Sequence, residues 1–149
     1  MLKGIPAILS PELLSVLCAM GHGDEIILAD GNFPAESYKK YLTVVRCDGH
    51  GIPELLKAIL KLFPLDCYVE QPVALMEVVK GDHYDPVIWE TYKTIFAEND
   101  CKGERIKFLE RYAFYEQAKK AFAVVATGET SQYANIILKK GIVKPADVI

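Results

Sequence analysis

Short apolar runs alternate with helical segments along this chain, and that alternation limits the possible folds more than any other feature of the sequence. The runs are rich in Val, Ile and Leu, which favour buried strands. We expect strands within residues 26–29, 41–47, 73–79, 105–109, 121–128 and 136–138. Strands that alternate with helices predict an α/β fold in which helices cover both faces of one sheet.

The connection between the last two predicted strands is short. A parallel crossover needs a dozen or more residues, and residues 129–135 are too few for one. We therefore expect a mixed central sheet rather than a purely parallel one. A chain of 149 residues is of common size for one domain with a real core, so the prediction is a single three-layer α/β/α domain over residues 1–149.

Helix starts are marked by capping residues and prolines. Ser10 is typical of an N-cap, and Pro11 suits the first helical position. The apolar spacing predicts helices over residues 11–20, 52–63, 87–96 and 113–122. Aromatic residues in the third of these recur at helical spacing, which indicates core packing rather than a binding site.

His22 stands between two glycines, where a helix is expected to end and a strand to begin. Imidazole titrates near neutral pH, so a histidine held on a glycine turn can transfer protons. Asp30 follows the strand and should lie at its other end. The alternative interpretation is a helix-ending glycine followed by a merely exposed histidine. His50 also has glycine neighbours, but a helix follows it, which favours a turn residue.

A second polar cluster lies between the last two predicted strands and contains Glu129, Tyr133 and Asn135. Its side chains should gather at one edge of the sheet, where ligands of α/β folds bind. Taken alone, the pattern favours a hairpin loop of ordinary turn residues.

Several classes of function lack a sequence signal. The net charge is −3 and the basic residues are scattered, which argues against a nucleic-acid partner. The four cysteines form no Cys-x-x-Cys pair and are expected to be buried, and His22 with Asp24 lacks a third ligand, so no metal site is predicted. No apolar stretch approaches the roughly 20 residues of a membrane span. With no secretory signal, we expect a cytoplasmic protein.

A resemblance to a known family covers the chain from about residue 2 to Gly141. It is carried by Ser10-Pro11-Glu12-Leu13-Leu14, Met20-Gly21-His22-Gly23-Asp24-Glu25-Ile26, Asp30, Asn32-Phe33-Pro34-Ala35, Asp48-Gly49, Arg111-Tyr112-Ala113-Phe114-Tyr115-Glu116 and residues 121–129. These motifs resemble the sugar mutarotase family that contains fucose mutarotases and ribose pyranases. The resemblance implies a cofactor-free enzyme that interconverts sugar anomers, assembled as a ring of pentamers or a decamer with sites at subunit interfaces.

The resemblance also implies roles for particular residues. His22 matches the catalytic histidine and Asp30 a substrate-binding carboxylate. Tyr133 and Asn135 match a sugar-binding pair that reaches the pocket from a neighbouring subunit in the family. Arg111 and Tyr115 are further substrate-binding candidates, Tyr115 the weaker of the two.

The substrate is expected to be L-fucose. Arg111 stands where the fucose branch of the family has arginine and the ribose branch has histidine. Ala134 stands where the fucose branch often has glycine and the ribose branch has alanine. Two alternatives remain: a mutarotase of the ribose pyranase type, and a non-catalytic ring protein that only binds sugar.

Ring opening of a sugar needs one proton removed from the anomeric hydroxyl and one delivered to the ring oxygen, so an acid and a base suffice. We expect His22 to carry the main proton transfer. Asp30 would orient His22 or bind a sugar hydroxyl. The sequence does not identify the second proton carrier.

Overall fold

Six strands and four α-helices lie within residues 2–99 and 105–148, the part of the chain that the computed structural model describes. The helices are α1 (Pro11–Ala19), α2 (Ile52–Leu60), α3 (Ile88–Ala97) and α4 (Arg111–Ala118). The strands are β1 (Glu25–Ala29), β2 (Thr43–Cys47), β3 (Val73–Met76), β4 (Ile106–Leu109), β5 (Ala123–Thr127) and β6 (Ile136–Lys139). Short 3-10 helices cover Ala35–Tyr38 and Pro145–Asp147.

The six strands form one mixed sheet in the order β2-β5-β1-β6-β3-β4. Strand β5 pairs in parallel with β1 and β2, and β3 pairs in parallel with β4. Strand β6 is antiparallel to both of its neighbours, β1 and β3. The prediction of a mixed sheet is therefore confirmed, and its single reversed strand lies in the interior.

Side chains that alternate along the strands feed two separate cores. Ile26 and Leu28 of β1 pack into the core that contains α1, α2 and α3. Ile27 and Ala29 pack on the opposite face against α4 and the first 3-10 helix. Since successive strand residues point to opposite faces, a buried run such as β1 is expected wherever helices cover both sides. The three-layer α/β/α prediction is confirmed.

The N-terminus of α1 has the predicted cap. The Ser10 side chain accepts a hydrogen bond from the Leu13 backbone N–H at 3.2 Å, and Pro11 occupies the first turn. In α3, Tyr92 and Phe96 are fully buried, as core residues should be. None of the helices in the described residues is long and apolar enough to cross a membrane.

Several local predictions were wrong. Strand β3 ends at Met76 rather than Val79, and helix α2 ends at Leu60 rather than Phe63. Helix α4 ends at Ala118 rather than Phe122, whose side chain is 36% exposed. The segment before β6 is not a hairpin loop, because β1 lies between β5 and β6. Of the cysteines, Cys47 is buried but Cys18 and Cys67 are exposed; Cys101 lies outside the described residues. These features depend on tertiary packing, which decides the residues that become buried and the strands that pair.

Candidate functional site

A cavity of about 200 Å³ opens at the edge of the sheet where the parallel strands end and β6 begins. Its lining consists of Asp30, Asn32, Phe33, Met76, Val79, Arg111, Tyr115, Gln132, Tyr133 and Asn135. Five predicted site residues are therefore brought together: Asp30, Arg111, Tyr115, Tyr133 and Asn135. Pockets for drug-sized ligands measure roughly 300–1,000 Å³, so this one suits a smaller, polar ligand.

Asp30 and Asn135 form a reciprocal pair at the floor of the cavity. The Asn135 amide nitrogen donates to Asp30 Oδ2 at 2.8 Å, and the Asp30 backbone N–H donates to Asn135 Oδ1 at 2.9 Å. The two residues are only 7% and 6% exposed. Burial raises the pKa of Asp30, although hydrogen bonds from Asn32, Phe33 and Asn135 oppose the rise. The pair thus presents fixed acceptor and donor atoms to a ligand.

Arg111 and Tyr115 form the wall contributed by α4. Arg111 is the first residue of this helix, which Glu110 caps by accepting hydrogen bonds from two backbone N–H groups. The Arg111 guanidinium lies 5.9 Å from the centre of the Tyr115 ring. A guanidinium held at a cavity wall can donate two parallel hydrogen bonds to neighbouring hydroxyls.

Tyr133 covers the cavity from an unusual backbone conformation. Its φ is +56°, the one non-glycine residue with positive φ among those described. Trp89 Nε1 donates to the Tyr133 carbonyl at 2.8 Å, and the hydroxyl of buried Tyr92 donates to the next carbonyl, that of Ala134, also at 2.8 Å. Strained conformations of this kind persist only where the surroundings fix them. Helix α3 supplies that support, because Trp89 and Tyr92 hydrogen-bond to the backbone around Tyr133.

His22 does not line this cavity. His22 precedes the amino end of β1, whereas Asp30 follows its carboxyl end, so the two residues lie at opposite ends of this strand. Five strand residues at about 3.3 Å each separate the two ends by roughly 16 Å. The expected position of Asp30 at the far end of the strand is thus what the structure has, but within one chain Asp30 is too distant to orient His22.

Asp66 is the partner of His22, and the sequence reasoning missed it. The His22 Nε2 atom lies 3.2 Å from Asp66 Oδ1, and the Tyr68 ring centre lies 5.6 Å from that of His22. Asp66 is 2% exposed. Burial acts to raise the pKa of Asp66, but hydrogen bonds from the Tyr68 N–H and from His22 outweigh it and hold the pKa below its ordinary value. An ionised, buried carboxylate therefore anchors the imidazole.

The glycine turn around His22 is held firmly. Gly23, with φ +87°, donates its N–H to the Lys140 carbonyl at 2.8 Å, and the Gly21 N–H donates to Asp24 Oδ2 at 2.8 Å. Lys140 Nζ in turn donates to the Met20 carbonyl at the end of α1. The histidine is 45% exposed at its side chain, so a rigid turn presents an accessible imidazole.

Other candidates have structural contacts. Glu129 does not line the cavity; its carboxylate accepts from the Ile52 N–H at the start of α2 and from the Ser131 N–H. His50 Nδ1 lies 3.1 Å from Glu54, and His83 is exposed. Within residues 2–99 and 105–148, no three His, Cys, Asp or Glu side chains are grouped so as to hold a metal ion.

Comparison with known proteins gives a consistent result. The family described as the RbsD / FucU transport protein family matches residues 3–143. A fucose mutarotase of Mus musculus is 57% identical over 144 residues, which cover 94% of each chain. An L-fucose mutarotase of Glaesserella parasuis is 51% identical over 142 residues, covering 95% of this chain and 96% of that one.

Among solved structures, the fucose mutarotase of Streptococcus pneumoniae in complex with L-fucose is similar to this chain. The two share 53% identity and superpose with a TM-score of 0.91, over 96% of this chain and 100% of that one. The likeness extends through the strands and loops that surround the cavity, because the match covers nearly the whole chain.

Proposed function

This chain belongs to the RbsD/FucU family, and from that premise we propose that it is an isomerase that interconverts the α and β anomers of L-fucose. The observation that carries the proposal is the cavity in which Asp30, Arg111, Tyr133 and Asn135 converge. Donors and acceptors from four side chains surround a space suited to a small polyhydroxylated ligand. Relatives more than 50% identical are named for the same activity.

Each residue has a role in this proposal. The Asp30–Asn135 pair fixes one sugar hydroxyl, and Arg111 binds others through two donors. The Tyr133 ring covers the apolar face of the sugar, while Tyr115 supports Arg111. His22, anchored by Asp66, exchanges the proton of the ring oxygen. His22 thus supplies the acid of the reaction, and the proposal calls on no cofactor.

The proposed site is shared between copies of the chain. His22 and the cavity lie at opposite edges of one sheet, so His22 must reach the sugar from a neighbouring copy. A head-to-tail contact repeated around a closed ring would join each cavity to the His22 edge of the next chain. This fits the proposed homo-oligomeric ring of pentamers or decamer, built from single sugar mutarotase domains over residues 1–149 and acting in the cytoplasm.

Exchange NMR on the anomeric protons of L-fucose and D-ribose tests the function directly. We expect the wild-type protein to speed exchange between the anomers of L-fucose, and His22→Ala to reduce this rate by about 10²-fold or more, the range of a lost acid–base group. His83→Ala serves as the matched control, because His83 is an exposed histidine outside the cavity.

The alternatives give different results in the same experiment. Exchange enhanced for D-ribose alone would favour a ribose pyranase type of enzyme and contradict the role given to Arg111. Binding of L-fucose without faster exchange would indicate a non-catalytic sugar-binding protein. An active His22→Ala variant would show that another residue transfers the proton.

A further inference from the structure

The hydroxyl of Tyr133 is bound on two sides by the loop that follows β3. It donates to Asp82 Oδ2 at 2.6 Å and accepts from the Val79 N–H at 3.3 Å. A separation of 2.6 Å lies in the range of a charge-assisted O–H···O⁻ hydrogen bond. The Tyr133 proton is therefore committed to the Asp82 carboxylate.

A short turn keeps the two loop groups together. The Asp82 N–H donates to the Val79 carbonyl at 2.9 Å, and Gly81 between them adopts φ +93°. The Tyr84 ring packs 5.8 Å from the Tyr133 ring. The backbone of Tyr133 is also fixed by α3. Both partners of the hydrogen bond between the phenol and Asp82 are therefore held in place.

Counting hydrogen-bond capacity shows what the phenol offers a ligand. A tyrosine hydroxyl has one proton to donate and two lone pairs to accept with. Asp82 takes the proton and Val79 one lone pair, which leaves one lone pair at the cavity wall. Toward a sugar, Tyr133 is thus an acceptor, and a sugar hydroxyl must donate to it.

We propose that Tyr133 and Asp82 form the proton relay that serves as the second proton carrier of the reaction, with Asp82 acting through Tyr133. This inference rests on the proposed mutarotase function, and it identifies the base that the His22 acid requires. The hydrogen bond to Asp82 also raises the pKa of Tyr133, so the phenol passes a proton on rather than becoming a free phenolate.

The step balances in atoms and electrons. The anomeric hydroxyl proton passes to Tyr133 Oη while the Tyr133 hydroxyl proton passes to the Asp82 carboxylate. The electron pair of the anomeric O–H bond forms the C=O bond of the open chain. The bond between C1 and the ring oxygen breaks, its electron pair stays on that oxygen, and protonated His22 supplies the proton. After rotation about C1–C2, the reverse transfers close the ring on the other face.

Asp82→Asn tests the relay with little change of shape. The amide oxygen still accepts from the Tyr133 hydroxyl but is a far weaker base than a carboxylate. We expect kcat for L-fucose anomer exchange to fall about 10²-fold, with KM changed less than about twofold, because the phenol stays in place. Asp85→Asn is the matched control, an exposed aspartate of the same loop that does not line the cavity.

Asp82→Ala adds a readout that a merely structural role would not give. We expect added formate to restore exchange in proportion to its concentration in this variant, and to leave wild type and Asp85→Asn unaffected. In a Tyr133→Phe background, Asp82→Asn should cause no further loss of kcat, because the residues act in series.

Several outcomes would overturn the relay while leaving the function intact. They are a kcat of Asp82→Asn within about twofold of wild type, absence of rescue by formate, and additive losses in the double variant. Failure of the function itself is recognised separately, since wild type would then not accelerate anomer exchange at all.

Discussion

Asp30 is a carboxylate placed where charge is costly, at the buried end of β1. Its oxygens accept from the Asn32 N–H and from the Asn135 amide, and Asn135 in turn accepts from the Asp30 N–H. Two of these hydrogen bonds orient the carboxylate and the third ties its backbone to Asn135, and none of them depends on a ligand. A sugar hydroxyl would meet a site already arranged, which lowers the ordering cost of binding.

Removing the Asn135 amide should destabilise the protein in a pH-dependent way. The raised pKa of Asp30 means that the folded chain binds a proton more readily than the unfolded chain. The resulting stability is complete below the unfolded pKa and is lost as pH rises through the folded pKa. Asn135→Ala removes a hydrogen bond that lowers this pKa, so we expect the unfolding free energy to fall by about 1–3 kcal/mol near pH 7.

Guanidinium unfolding at fixed protein concentration measures this effect. The difference from wild type should shrink as the pH approaches 3.8, the ordinary pKa of an aspartate side chain. Asn32→Ala is the control, because Asn32 bonds Asp30 through its backbone N–H. An equal loss of unfolding free energy near pH 7 and near pH 3.8 would show that the amide does not stabilise the charged carboxylate.

At the scale of single residues, the sequence indicated groups that stand beside recognisable local signals. His22 and Asp30 flank a strand, and Tyr133 and Asn135 precede one, so their positions followed from the elements; their roles stay predictions. Asp66 and Asp82 had no such signal. Each belongs to a loop without periodicity. Asp66 is 44 residues from His22 and Asp82 is 51 residues from Tyr133 in the sequence, so only the tertiary fold brings these partners together.

At the scale of elements, the ends of β2 and β5 approach each other very closely. The Gly128 N–H donates to the His50 carbonyl at 2.8 Å. A Cβ atom at Gly128 would lie 2.1 Å from the Asp48 carbonyl oxygen and 3.1 Å from its carbon. Both obstacles are backbone atoms, so no side-chain rotation can relieve them.

Gly128→Ala should therefore separate the two strand ends. Overpacking typically costs about 1–3 kcal/mol of unfolding free energy, and we expect a loss near the upper end of that range. Gly49→Ala in the facing turn is the matched control, because a Cβ atom there meets nothing within 4 Å. Thermal unfolding of both variants compares them, and equal midpoints would contradict the close approach.

Most elements could be predicted, because periodicity and caps report local structure. Each of the six strands overlaps its predicted segment, although β3 ends three residues early, and the mixed sheet followed from connection length. The neighbours of β5 could not be predicted, since the insertion of β1 between β5 and β6 is a choice of pairing that local sequence does not encode. The end of α4 was also misjudged, because the apolar residues after Ala118 continue its pattern into β5.

At the scale of the whole molecule, the two halves of the proposed site lie at opposite edges of one sheet. One half is the cavity with Asp30 and Arg111, and the other is the His22–Asp66 pair. If neighbouring copies join these halves, two inactive variants with different lesions should complement each other.

Mixing His22→Ala with Arg111→Ala tests this arrangement. Each variant alone should be inactive in L-fucose exchange. Subunits coexpressed in equal amounts should recover about a quarter of the wild-type rate, the share of sites to which random assembly of a closed ring gives two intact halves. Separately purified variants mixed without subunit exchange are the control, and absence of recovery in the coexpressed sample would mean that one chain supplies both halves.

The reversed strand β6 also bears on how this enzyme can change in evolution. It is paired on both sides, and a slip of one residue would turn every side chain to the wrong face. An insertion before it cannot be absorbed by sliding the strand. Variation in length is therefore confined to the loop ahead of Tyr133, whereas Asn135, directly before the strand, is held to Asp30 by two hydrogen bonds. Substrate preference can drift at the rim of the pocket while its floor stays constant.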